Sequence, residues 1–129
     1  MEEGSKPTVL IAEDEEGELE ILTSEFEKAG FNVSAARDGQ EALDMAAATE
    51  PDLILLDILM PEMDGWEVMK KIREEGEWGK DVPIIILTNT DVDTDEKQQK
   101  ITEYEPAYFL VKTEFTIDEV VMKAKEVLG

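Results

Sequence analysis

Four short apolar runs punctuate the chain: Thr8–Ala12 (TVLIA), Leu53–Leu56 (LILL), residues 84–87 (IIIL) and Tyr108–Val111 (YFLV). They are continuous rather than alternating. A strand with one wet face alternates, whereas a strand buried on both faces of a parallel sheet reads as an unbroken apolar run. A weaker fifth run, residues 31–35 (FNVSA), does alternate and predicts an edge strand. Between the runs, apolar residues recur at helical spacing. Leu19, Leu22, Phe26 and Ala29 form a stripe that Gly30 closes. Ala42, Leu43, Ala46 and Ala47 form a second, and Pro51 prevents its continuation. Val68, Met69 and Ile72 form a third that ends near Gly76, and Ile117, Val120, Val121, Ala124, Val127 and Leu128 form the last. Residues 91–105 are polar, with Ile101 and Tyr104 as anchors, and predict a marginal helix.

The order is five β-α units joined by short connections, which implies a parallel sheet with helices on both faces. At 129 residues the predicted fold class is α/β, a flavodoxin-like (βα)5 three-layer sandwich with sheet order 2-1-3-4-5. Residues 8–129 are expected to form one domain, preceded by a flexible tail over residues 1–7.

Composition narrows the chemistry. The absence of cysteine excludes disulfides and thiolate metal sites, and the absence of histidine removes the commonest general base and transition-metal ligand. With 33 acidic against 12 basic residues, the net charge of −21 argues against direct contact with nucleic acid or an anionic membrane. It favours cations and basic partner surfaces, and it fits plain solubility equally well. No apolar run approaches the roughly 20 residues that span a bilayer, and MEEGSKPT lacks a signal-peptide pattern. A cytoplasmic location is expected.

In sheets of this kind, ligands bind beyond the carboxyl ends of the strands, at the switch point between strands 1 and 3. Strand 1 ends in Glu13-Asp14, strand 3 in Asp57, strand 4 in Thr88 and strand 5 in Lys112. Carboxylates converging from two strands repel and need a cation, and an oxygen-only donor set selects a hard one, Mg²⁺ before Ca²⁺. A carboxylate beside Mg²⁺ can attack phosphorus and form an aspartyl phosphate. Lys112 and Thr88 can supply the charge and hydrogen bond that a transferring phosphoryl group requires. Taken singly, each residue has an ordinary reading: a helix start capped by acids, strand-end turn residues, a solvated lysine. Four such types at the same ends of four strands argue against independent decoration.

These residues carry a resemblance. Over residues 7–128 the chain resembles the response-regulator receiver domain. The segment DLILLDILMPEMDGWEVMKKIR (residues 52–73), the acidic pair after VLIA, the IIILT strand and the FLVK segment fall in that family's order and spacing. The resemblance implies that Asp57 is the phosphoacceptor, that Asp14 binds Mg²⁺ directly and Glu13 through water, and that the Leu59 backbone carbonyl is a further ligand. It implies that Thr88 and Lys112 bind the phosphoryl group, that Phe109 is the rotating switch aromatic, and that Pro61 and Gly65 shape the loop behind the site. A sensor histidine kinase or a histidine phosphotransfer protein is the implied donor, with small acyl phosphates as further possible donors. The output is a downstream protein contacted through the face built from the helix near residues 91–104, strand 5 and the last helix. Such a protein is a phosphoacceptor switch that assists its own phosphotransfer and dephosphorylation, rather than an enzyme. It works as a monomer or a weak phosphorylation-dependent dimer.

The sequence departs from the family pattern at four places. Thr113 stands where a cis-proline is usual, which predicts a trans bond or a reshaped loop, since a cis bond before a non-proline residue costs about 3 kcal/mol. Asn89 is larger than the usual alanine or glycine and is expected to narrow access to the acyl phosphate. Phe109 lacks the hydroxyl of the usual tyrosine. Glu105-Pro106-Ala107 replaces the usual Gly-Ala helix exit. Two other functions compete. One is a receiver-like scaffold that binds partners without phosphorylation. The other is a haloacid-dehalogenase-type phosphatase, which would need an acid two residues after its nucleophile, where this chain has Leu59.

Overall fold

Successive residues of a strand point to opposite faces of a sheet, so an unbroken apolar run must be covered twice. The computed structural model, which describes residues 6–89 and 95–129 and only the backbone of residues 95–97, shows how this is met. The strands are β1 (Thr8–Ala12), β2 (Asn32–Ala36), β3 (Leu53–Leu56), β4 (Ile84–Thr88) and β5 (Tyr108–Val111). All pair in parallel, in the order β2-β1-β3-β4-β5. The helices are α1 (Glu16–Lys28), α2 (Gly39–Thr49), α3 (Gly65–Arg73), α4 (Gly76–Asp81), α5 (Asp95–Tyr104) and α6 (Ile117–Leu128). This is the predicted α/β three-layer sandwich.

The strand residues divide by parity. Val9, Ile11, Leu53, Leu55, Ile85 and Leu87 face α1 and α6, where Leu19, Leu22, Phe26, Val120, Val121 and Ala124 cover them. Leu10, Ala12, Ile54, Leu56, Ile84 and Ile86 face the other way, against Ala42, Ala46, Val68, Met69 and Ile72 of α2 and α3. The alternating run 31–35 does become the edge strand β2, half-buried along most of its length. Residues 1–5 of the expected tail lie outside the described residues. The Pro7 carbonyl accepts a hydrogen bond from the Asn32 amide at 2.9 Å.

Helix ends follow local chemistry. Gly30, at φ +99°, lies just past the end of α1, and Thr116 and Glu119 form a reciprocal capping box at the start of α6. The third helical stripe ends at Arg73, but the chain re-enters a helix at Gly76, an element the sequence pattern does not announce. GEWGKD is polar and carries two glycines. Its helix is held from outside: Trp78 Nε1–H donates to the Pro51 carbonyl at 3.0 Å. Gly79 sits so close to α3 that a Cβ there would lie 1.9 Å from the Ile72 carbonyl oxygen. The part of the predicted marginal helix that is described, α5, ends at Tyr104, and Glu105 turns the chain in a left-handed conformation with φ +51°.

Arg73 joins these elements. Its guanidinium donates to the carbonyls of Gly79 at 3.0 Å, Val82 at 2.7 Å and Tyr104 at 3.1 Å. It thereby ties α3 to α4, to the approach to β4 and to the C-terminal end of α5. Replacing Arg73 by Met keeps the aliphatic stem but leaves these acceptors without their donor. The expected cost is about 2–3 kcal/mol, read as a lowered urea midpoint at constant slope. A loss below about 0.5 kcal/mol, the level of ordinary surface substitutions, would overturn this account.

Candidate functional site

Because the strands are parallel and in register, the residues that follow them meet along one edge. Ala12 pairs with Leu56 and Thr88 with Val111. The Asp57 amide donates to the Ala12 carbonyl at 3.0 Å, which holds Asp57 beside Glu13. Ligand oxygens of Glu13, Asp14 and Asp57 lie within 4.8 Å of one another. Glu13, Asp57 and Thr88 are buried, and Thr88 is completely so; Asp14 is exposed. The structure therefore brings together the acidic side chains expected from strands 1 and 3, with Lys112 from the end of β5 among them.

Asp57 is held at both oxygens. The Leu59 amide donates to Oδ1 at 3.1 Å, and the Lys112 ammonium to Oδ2 at 3.2 Å. Lys112 also donates to Glu13 Oε2 at 2.7 Å and pairs with Glu18 Oε1 at 2.8 Å. Glu18, on the first turn of α1, is absent from the residues expected on sequence grounds. Its signal was faint: a position four residues after Asp14 and next to the core residue Leu19, in a chain with 33 acids.

The loop that carries Asp57 into α3 is tightly packed. The Gly65 amide donates to the Ile58 carbonyl at 2.8 Å. A Cβ at Gly65 would lie 2.5 Å from the Asp57 carbonyl oxygen and 2.7 Å from the Ile58 Cα. Glycine is therefore required here for close approach rather than for an unusual φ. At the departure after Lys112, no cis peptide bond occurs among the described residues, and Lys112–Glu114 forms a 3-10 turn. The bond before Thr113 is trans, and the ammonium reaches Asp57. Asn89 is exposed just beyond Thr88. Phe109 stacks on Trp66, the second residue of α3, with ring centroids 6.2 Å apart and planes at 19°. Lys100 of α5 lies 5.9 Å from the Trp66 ring centroid. The expected switch aromatic thus touches the helix that follows the Asp57 loop, a contact the sequence did not reveal.

Burial pushes the Glu13 carboxyl up from 4.5 to about 7, opposed by its hydrogen bond to Lys112 and reinforced by the neighbouring Asp57 carboxylate. Burial also works against the Lys112 ammonium, but the carboxylates of Glu13, Glu18 and Asp57 outweigh it and raise its pKa. The two directions look opposed. Burial dominates at Glu13, whereas at Lys112 the three carboxylates together outweigh burial, so the ammonium is held firmly as a cation while it is shared among all three. Carboxylates with no nitrogen or sulfur donor suit a hard divalent cation. The donor set here fits Mg²⁺.

A family model described as the response regulator receiver domain matches residues 9–125. Among curated relatives, the alkaline phosphatase synthesis transcriptional regulatory protein PhoP of Bacillus subtilis is 39% identical over 88 residues, 68% of this chain and 35% of that protein. Response regulator MprA of Mycobacterium tuberculosis is 40% identical over 83 residues, 64% of this chain and 35% of that protein. The matched part of this chain thus accounts for 35% of the length of either relative. The structure is similar to chemotaxis protein CheY4 of Vibrio cholerae, with a TM-score of 0.85 and 29% identity over 95% of this chain and 99% of that one. It is also similar to response regulator protein TrrA of Thermotoga maritima, solved in complex with Mg(2+)-BeF, with a TM-score of 0.78 and 30% identity over 94% and 98%.

The raised Glu13 pKa makes a signed prediction. The folded state binds this proton more tightly than the unfolded state, so the associated stability is full below about 4.5 and is lost as pH rises through about 7. Glu13→Gln, which mimics the neutral acid, is expected to gain on the wild type as pH rises from 5 to 8, in urea titrations without divalent cations. A stability difference that stays constant, or moves toward the wild type, as pH rises would sink the assignment.

Proposed function

The chain belongs to the family of response-regulator receiver domains, and on that premise we propose that it accepts a phosphoryl group on Asp57 from a phosphohistidine of a sensor histidine kinase or histidine phosphotransfer protein. One observation carries the reading. A buried aspartate at the carboxyl edge of β3 is gripped by a backbone N–H and an ammonium, with two further carboxylates within 4.8 Å. In this reading an Asp57 oxygen forms the new P–O bond as the donor's P–N bond breaks, with the bonding pair staying on the imidazole. These 129 residues contain no histidine, so the donor imidazole lies outside them.

Glu13, Asp14, Asp57 and the Leu59 backbone carbonyl would hold Mg²⁺, which supplies positive charge to the phosphoryl oxygens. Lys112 then donates to one phosphoryl oxygen and the Thr88 hydroxyl to another. Gly65 keeps the Asp57 loop close against α3, so the nucleophile is held in place before the donor arrives. Asn89, exposed at the mouth, narrows the approach and slows entry and loss of the group.

The switch follows from charge. A phosphoryl group adds about −1.5 to −2 charge and draws Thr88 and Lys112 toward it. Thr88 ends β4 and Lys112 follows β5, so both movements reach the neighbouring α5 and the Phe109–Trp66 stack. With no hydroxyl, Phe109 chooses between positions by packing alone. The face made by α5, β5 and α6 is the proposed output surface for a downstream protein, in a cytoplasmic domain that is a monomer or a weak phosphorylation-dependent dimer. The net charge of −21 favours output through protein contact over DNA contact.

Three measurements test this reading. Incubation with acetyl phosphate and Mg²⁺ is expected to add the mass of one phosphoryl group to the wild type and none to Asp57→Asn. A wild type that never gains it, even from a cognate kinase, would favour the scaffold reading. Mg²⁺ alone is expected to raise the melting temperature by mass action, and Asp14→Asn to lose most of that rise. Amide hydrogen exchange with beryllofluoride is expected to change in α5 and β5; an unchanged pattern there would remove the proposed output face.

A further inference from the structure

An ammonium carries three N–H donors. Lys112 faces three carboxylates within ion-pair distance: Glu13 Oε2 at 2.7 Å, Glu18 Oε1 at 2.8 Å and Asp57 Oδ2 at 3.2 Å. Glu13 and Asp57 follow the ends of β1 and β3. Glu18 comes from a helix, and its backbone is fixed there because its amide donates to the N-cap Glu15 side chain at 2.9 Å. The Glu18 side chain is 31% exposed against 11% for Lys112, so it meets the ammonium from the solvent side. The two short contacts run to Glu13 and Glu18, and the long one runs to Asp57. The ammonium is thus drawn toward α1 and away from the side chain that would carry the phosphoryl group.

We infer that Glu18 is a positioning residue that holds Lys112 back from Asp57 and thereby slows phosphoryl entry. The inference rests on Asp57 being the phosphoacceptor. When acetyl phosphate reacts, an Asp57 oxygen forms the new bond to phosphorus, and the bond from phosphorus to the acyl oxygen breaks as acetate leaves with the pair. Lys112 can donate to a phosphoryl oxygen only by releasing one of its three carboxylates. Glu13 is buried behind it, and Asp57 is the reacting group, so Glu18 is the partner to give up. Charged hydrogen bonds are roughly twice as strong as neutral ones. A glutamine at position 18 keeps the reach and an acceptor but weakens that hold.

Glu18→Gln is therefore expected to gain phosphoryl mass from acetyl phosphate roughly twofold to fivefold faster than the wild type, the scale of one partly exposed ion pair. Mg²⁺ is held at a level that saturates each variant. The acceleration should disappear when Lys112→Ala is also present, because Glu18 acts through that ammonium. Glu20→Gln, which removes one acid from the same helix without touching the site, serves as the charge control and should label at the wild-type rate. Unchanged or slower labelling of Glu18→Gln overturns the inference. So does an acceleration that persists beside Lys112→Ala, or one that Glu20→Gln reproduces.

A second readout needs no phosphodonor. The Lys112 ammonium protons, followed by nitrogen-15 NMR, are expected to exchange with solvent faster in Glu18→Gln than in the wild type. Equal exchange would show that Glu18 does not hold the ammonium and would sink the idea. Should the wild type take up no phosphoryl group at all, the phosphoacceptor reading fails, while the NMR comparison still decides whether Glu18 restrains Lys112.

Discussion

Lys112 is the cation on which the carboxyl edge of the sheet depends, because Glu13, Glu18 and Asp57 would otherwise face one another in a poorly hydrated cleft. Two unit charges 4 Å apart interact by about 4 kcal/mol where the effective dielectric constant is near 20. That is a large fraction of the 5–15 kcal/mol that typically separates folded from unfolded chains. One ammonium touching three carboxylates cannot neutralise them all. Burial, reinforced by the neighbouring Asp57 carboxylate and only partly opposed by Lys112, pushes the Glu13 carboxyl up to about 7. A site left short of positive charge has affinity for more of it, and its oxygen-only donors suit a hard divalent cation.

The rest of the fold keeps that edge in place. The Asp57 amide is fastened to the Ala12 carbonyl, and Gly65 allows α3 to press against the Asp57 backbone. Asp57 and the acidic pair after β1 therefore share one rigid border. The other side of the sheet is less uniform. Helix α5 is polar, and Ile101 and Tyr104 are its packed anchors. Its C-terminal end is held by Arg73 through the Tyr104 carbonyl. A polar helix with two apolar anchors among its described residues is where a local rearrangement costs little. The Phe109–Trp66 stack, with Lys100 over the Trp66 ring, links that element to the helix following Asp57.

The departures from the family pattern fit these constraints. Without a proline after Lys112, the chain forms a 3-10 turn, and the ammonium keeps its reach to Asp57. Glu105 adopts a left-handed backbone conformation where a glycine would do so without strain, and its neighbour Tyr104 is tied to Arg73. Such a conformation costs roughly 1–2 kcal/mol for a residue with a Cβ. Hydrogen bonds from the Arg73 guanidinium can offset a cost of that size.

By itself the sequence determined the strands, their order and the side chains that gather at the switch point. Runs such as LILL and IIIL can be satisfied only by cover on both faces, and a parallel sheet then puts every strand's exit on one edge. Whatever residue ends such a run, Asp57 or Lys112, is delivered to that edge by topology alone. Tertiary structure decided what depends on neighbours from distant parts of the chain. Glu18 is one acid among 33 until α1 packs it beside Lys112. Helix α4 has a weak pattern of its own and exists because Trp78, Gly79 and Arg73 fasten it to other segments. The Phe109–Trp66 stack joins residues far apart in the chain. Local periodicity encodes burial, which is why the fold could be read in advance; pairwise contacts across elements have no periodicity, so they appear only when the chain is folded.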